Sequence, residues 1–117
     1  MAGGISVHAV DVSRGVVAAG MRVEVYAIET GRTRIADAAI SAKGLLEDAA
    51  LGARFEPGRY EALFHVADYY RSAGVALPAR PFLDVVAFRF GIADPAQHYH
   101  LPFKCTPWGY SCFRGGA

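Results

Sequence analysis

Imidazoles, a primary amine, thiols and a guanidinium crowd into the last twenty residues of this 117-residue chain. His98 and His100 stand two apart, followed by Lys104, Cys105, Ser111, Cys112 and Arg114; His8 lies near the other end and His65 mid-chain. A neutral imidazole is the side chain best suited to take a proton from water near neutral pH. A lysine or arginine supplies a cation, and a hydroxyl or N–H donor can hold an oxyanion. Two further chemistries can be weighed from the same residues. His8, His98 and His100 could offer three nitrogens to zinc, but no fourth ligand is evident and the carboxylates lie elsewhere, so no metal site is expected. A Cys–His nucleophilic pair needs surroundings that favour a thiolate, and nothing singles out Cys105 or Cys112 for that.

Strands must position these groups. Ile5 to Val12 alternates, with Val7 and Ala9 on one side and Ser6, His8 and Val10 on the other. Ser13-Arg14-Gly15 reads as a turn that Asp11 and Arg14 would fix. Met21 to Ile28 and Thr33 to Ile40 alternate in turn, and a short strand is expected near Gly44-Leu45-Leu46. Glu56-Pro57-Gly58 has the chemistry of a turn and launches a strand from Arg59 to Val66. Within it His65 reads as a hydrogen-bonded structural residue. Ala67 to Gly74 looks like two helical turns closed by glycine. Phe82 to Phe90 is apolar on both faces, so a central strand is expected. His98 to Thr106, a turn at Pro107, and Gly109 to Arg114 form a terminal hairpin. Along it His100, Pro102 and Lys104 share a face, and Cys105 points the other way, into the core. Eight short strands with one brief helix predict an all-β, antiparallel β-sandwich occupying residues 1–117 as a single domain.

Composition narrows the partners. Hydrophobic residues make up 53% and charged residues 20%, which excludes disorder and suits a well-buried or oligomeric domain. A formal charge of +1 offers no electrostatic case for nucleic acid or an anionic membrane surface. No apolar run approaches the roughly 20 residues of a membrane helix. Two cysteines make no disulfide framework, and no basic region precedes an apolar stretch at the N-terminus, so a reduced, cytoplasmic protein is expected.

Several segments carry a resemblance. They are Ser6-Val7-His8-Ala9-Val10-Asp11 with Arg14-Gly15, Pro57-Gly58-Arg59-Tyr60, Phe82-Leu83-Asp84-Val85-Val86, His98-Tyr99-His100-Leu101-Pro102 and Pro107-Trp108-Gly109-Tyr110-Ser111. Together, in order and across essentially the whole chain, they resemble the transthyretin-related 5-hydroxyisourate hydrolases. The resemblance implies a transthyretin-like sandwich of two four-stranded sheets, a dimer formed by edge strands, and a back-to-back homotetramer with active sites in its central channel. It also implies an enzyme of purine metabolism without a cofactor. Such an enzyme hydrolyses a ring amide of 5-hydroxyisourate, the first product of urate oxidation, to a carboxylated imidazoline. The matching catalytic positions are His8 and His100.

The chain departs from that family at three places. No arginine follows Gly44, where Leu45 stands; Phe113 replaces the usual tyrosine; and Gly116 replaces the usual terminal serine, with Ala117 added. Lys104, where the family usually has an aliphatic residue, would supply the missing cation, with Arg114 the second candidate. Ser111, Phe113, Gly115 and Gly116 complete the expected substrate contacts. Two alternatives follow from the departures. One is a hydrolase for a modified or N-methylated ring, whose changed edge would no longer need the lost polar contacts. The other is a noncatalytic carrier of a small apolar ligand, favoured by Leu45 and Phe113 and disfavoured by the two histidines.

Overall fold

Every second residue of Ile5–Asp11 is buried while Ser6, His8 and Val10 are half-buried, the pattern of a strand with one face in a core. This is β1 of a computed structural model that describes residues 3–116. The other strands are β2 (Val16–Val17), β3 (Arg22–Ala27), β4 (Thr33–Ala39), β5 (Gly58–His65), β6 (Val85–Ile92), β7 (Tyr99–Thr106) and β8 (Gly109–Cys112), with one helix, α1 (Val66–Ser72). They form two four-stranded sheets, ordered β2-β1-β7-β8 and β4-β3-β5-β6. The inner faces meet at Phe64 of β5 and Phe103 of β7, whose rings stack 3.9 Å apart. Among the described residues no helix is long and apolar enough to cross a membrane.

The predicted sandwich is present, and four details differ from expectation. β1 and β7 pair in parallel, whereas the neighbouring pairs run antiparallel. The eighth strand is not at residues 44–46. There Gly44 N–H closes a tight turn onto the Ser41 carbonyl, which leaves room only for a single bridge from Leu45 to His8. The β-branched pair Val16-Val17 forms the strand instead. β6 begins at Val85 rather than Phe82 and is an edge strand, not a central one. Its apolar content reflects aromatics at an open rim: Phe88 and Phe90 face inward but stay half-buried, and Phe90 stacks on Tyr60. Finally, β8 stops at Cys112, before Phe113 and Arg114.

Asp11, fully buried, ends β1 and ties the sheet to the helix. Its carboxylate accepts from Ser13 Oγ (2.6 Å), Arg14 Nε (2.8 Å), Tyr70 OH (2.8 Å) and Tyr69 OH (3.0 Å). Burial alone would raise its pKa, but these hydrogen bonds overrule that and bring it down to about 2. Tyr70 OH also reaches the carbonyl of Cys105, the β7 residue paired with Asp11. The expected turn lock by Asp11 and Arg14 is thus present, extended by two helix tyrosines that sequence reading did not link to it. His65 bonds Glu24 at 2.6 Å, the structural role expected of it. Replacing Asp11 by alanine removes the shared acceptor of Ser13, Arg14 and both tyrosine hydroxyls, leaving Tyr70 the Cys105 carbonyl and Tyr69 the Arg14 guanidinium, and chemical denaturation should report a loss of about 2–3 kcal/mol. Because its folded pKa lies below the unfolded one, the carboxylate's contribution should be complete above pH ~4 and vanish as pH falls through about 2.

Candidate active site

The parallel β1–β7 ladder decides what faces what. Ser6 pairs with His100, His8 with Pro102 and Val10 with Lys104, and strand alternation turns all six away from the core. On the far side of β7, Lys104 pairs with Ser111. The ladder then breaks opposite Pro102, which has no N–H to give. It resumes without a slip at His100, whose carbonyl accepts from Gly115 N–H at 2.8 Å. That register sets Phe113 beside Pro102 on the same face. On the other side of β1, Ala9 N–H donates to the Gly44 carbonyl (2.9 Å) and Leu46 N–H to the Val7 carbonyl (3.1 Å), which docks Leu45 against His8. Of the residues singled out from sequence, His8, His100, Lys104, Ser111, Phe113 and Gly115 therefore share one outer face.

Two glycines let backbone approach the imidazoles. Gly44 has φ +81°, and a methyl group on it would lie 2.7 Å from His8 Nε2 and 2.8 Å from Val17 Cγ1. A methyl on Gly115 would lie 2.9 Å from Pro102 Cγ and 3.0 Å from His100 Cδ2. A side chain at position 44 would displace His8 or Val17, and one at position 115 would press on Pro102 and His100.

His100 is half-buried and its Nδ1 lies 2.6 Å from Ser6 Oγ. The same oxygen is 2.7 Å from His98 Nε2, and His98 Nδ1 is 2.9 Å from the Gly3 carbonyl. Burial first, then the nearby His8 and His98 rings, hold the His100 imidazole below its ordinary pKa. A neutral, uncharged base at pH 7 is the result. Both nitrogens of His98 are engaged, so it has none to spare for a metal. Among the described residues no group of three His, Cys, Asp or Glu side chains is arranged to hold one.

Other candidates lie apart. Arg114 turns to the opposite side: its guanidinium stacks 4.1 Å over the Tyr99 ring and donates to Gln97 Oε1 and the His98 carbonyl. Gly116 is exposed beyond the last bridge. Lys104 is exposed, at the rim of a shallow depression shared with Val12, Thr106, Tyr110 and Ser111. Burial pushes the Cys105 thiol up to about 11 and that of Cys112 up to about 12, which suits neither for nucleophilic attack. Sequence reading overlooked Ser6 as a member of the site. The available signal was its position two residues before His8 on the same strand face.

Set beside known proteins, the arrangement has clear relatives. The HIUase/Transthyretin family model matches residues 5–115. The 5-hydroxyisourate hydrolase of Deinococcus radiodurans is 44% identical over 116 residues, covering 96% of this chain and 95% of its own. 5-Hydroxyisourate hydrolase 2 of Rhizobium meliloti is 41% identical over 115 residues, covering 97% and 96%. Among solved structures, Klebsiella pneumoniae 5-hydroxyisourate hydrolase superposes with a TM-score of 0.78 at 27% identity, over 97% of this chain and 99% of that one. The chain belongs to the HIUase/Transthyretin family.

Proposed function

We propose that the protein hydrolyses the ring amide of 5-hydroxyisourate in urate breakdown, with His100 as general base. The observation that carries the reading is the placement of two imidazoles on one face of the sheet, from adjacent strands, with His100 kept neutral, in a chain akin over nearly its full length to named hydrolases of that substrate. His100 Nε2 removes a proton from water as the water oxygen bonds to the ring carbonyl carbon. His8, its diagonal neighbour across the ladder, donates to the oxygen that becomes the oxyanion. Collapse of the tetrahedral carbon breaks the C–N bond, and the proton passes to the departing ring nitrogen. Water and cyclic amide become a carboxylate and an opened ring, so neither metal nor cofactor enters the balance.

Residues 1–117 act as one transthyretin-like domain in the cytoplasm, and four copies assemble. The edges support this assembly: β6 and β8 are unpaired on their outer sides, with Val85, Trp108 and Tyr110 exposed along or beside them. Packing the outer faces of the β2-β1-β7-β8 sheets back to back would convert the open histidine surface into a channel wall. Within it Lys104 supplies positive charge to the substrate, because Leu45 beside His8 cannot and Arg114 is committed to Tyr99. The same substitutions favour a second reading, in which the ring carries an apolar substituent that Leu45 accommodates.

Fresh 5-hydroxyisourate loses its absorbance spontaneously over minutes, and the protein should accelerate that loss. Acceleration should fall by about 10²–10⁴-fold in His100→Asn; no acceleration by the intact protein leaves the carrier reading instead. Lys104→Met should raise KM about tenfold with kcat nearly unchanged, the pattern of lost uniform binding. Unchanged KM would remove the lysine from the site. Because the His100 pKa is lowered, the acid limb of the kcat/KM profile should have its midpoint below about 6.5, with rate lost as pH falls through it.

A further inference from the structure

Three hydrogen bonds link the Gly3 carbonyl to His100 through His98 and Ser6, and donor counting gives the chain a direction. A carbonyl only accepts, so the proton at the 2.9 Å contact sits on His98 Nδ1. In a neutral imidazole the other nitrogen is then an acceptor, and Ser6 must donate its single proton to His98 Nε2 across 2.7 Å. The Ser6 oxygen has only lone pairs left for its 2.6 Å contact with His100 Nδ1, which must therefore carry a proton itself. That leaves Nε2 of His100 as the bare nitrogen, with no protein partner among the described residues. Running the chain the other way requires protons on both nitrogens of His98, a charged ring wedged beside the other histidines.

We propose that Ser6 and His98 are positioning residues that hold His100 in its Nδ1–H form, leaving Nε2 unprotonated to accept the proton of water. The proposal rests on His100 being the base and adds what orients it. Free histidine in water favours the opposite form, with the proton on Nε2, so an unsupported ring would spend most of its time unable to act. The relay is built from three separate elements. Ser6 comes from β1, both histidines from β7 and the residue just before it, and the carbonyl from the segment leading into β1. Ser6 and His100 are directly paired in the parallel ladder, and His98 and His100 are two apart, which brings both rings to one hydroxyl. Among the described residues no carboxylate bonds to Ser6, His98 or His100. A backbone carbonyl, which cannot change protonation, terminates the chain and sets its sense.

Long-range proton–nitrogen correlation spectra of the histidine-labelled protein, at a pH where the rings are neutral, read the form directly and need no turnover. Wild type should show His98 and His100 both protonated on Nδ1. In Ser6→Ala the His100 proton should move to Nε2, and kcat should fall by about 10- to 100-fold with KM little changed. Ser6→Thr, which keeps the hydroxyl, should restore both. A wild-type His100 protonated on Nε2 would overturn the proposal, as would Ser6→Ala leaving form and kcat unaltered. If Ser6→Ala fails to fold, the wild-type spectrum and Ser6→Thr still decide. Full activity in His100→Asn would defeat the base assignment while leaving the spectroscopic result intact, so the two failures are distinguishable.

Discussion

Seven consecutive pairings join β1 to β7 in parallel, and both the core and the candidate site depend on their register. Because side chains alternate strictly, a one-residue slip of β7 would drive His100 into the core and expel Leu101 and Phe103. Burying an imidazole without partners while exposing two apolar side chains would cost several kcal/mol on any reasonable accounting. The ladder is pinned at both ends. At one, Tyr70 bridges the Asp11 carboxylate and the carbonyl of its pairing partner Cys105. At the other, Tyr99 N–H donates to the Gly4 carbonyl and His98 to that of Gly3. One set of contacts thus stabilises the sandwich and aims the imidazoles, so that fold and site share a single determinant.

What the sequence disclosed follows from the range over which each signal acts. Period-2 alternation is local, so the faces of β1 and β7, the inward turn of Cys105 and the shared orientation of His100 and Lys104 were legible. The motifs around His8 and His100 carried the family. The link between Ser6 and His100 was not legible, since it spans ninety-four positions and depends on a parallel pairing that no local pattern encodes. β6 reads as central because residues on both its faces are apolar, and only the sheet order reveals Phe88 and Phe90 as rim residues. The strand expected at residues 44–46 is reduced to one bridge by Leu45, because the Gly44 turn leaves no length for more.

The distribution of cations separates this chain from the pattern its histidines announce. Alternation alone places Arg114 on the opposite parity from Phe113, and its guanidinium stacks on Tyr99 while Nη2 donates to two acceptors. Arg114 thereby closes the tail over the rim of the core and behaves as a structural clasp. Lys104 instead projects from the face the histidines occupy, with the hydroxyl of Ser111 as its cross-strand neighbour.

Pro102 has a wider effect than interrupting one ladder. Beyond Cys112 the tail is held to β7 by the Gly115 bond and the Arg114 clasp, contacts worth roughly 1 kcal/mol each. Cooperative unfolding of the sandwich does not require that segment to leave, and its detachment does not require the sandwich to open. Residues 113–116 therefore rest on few contacts of their own, so substitutions there reach the core less than substitutions in β1 or β7 would. Phe113 and Gly116 lie in that lightly held segment, whereas both histidines stand on the paired strands. Selection can rewrite one wall of the site while the scaffold beneath it stays as it was.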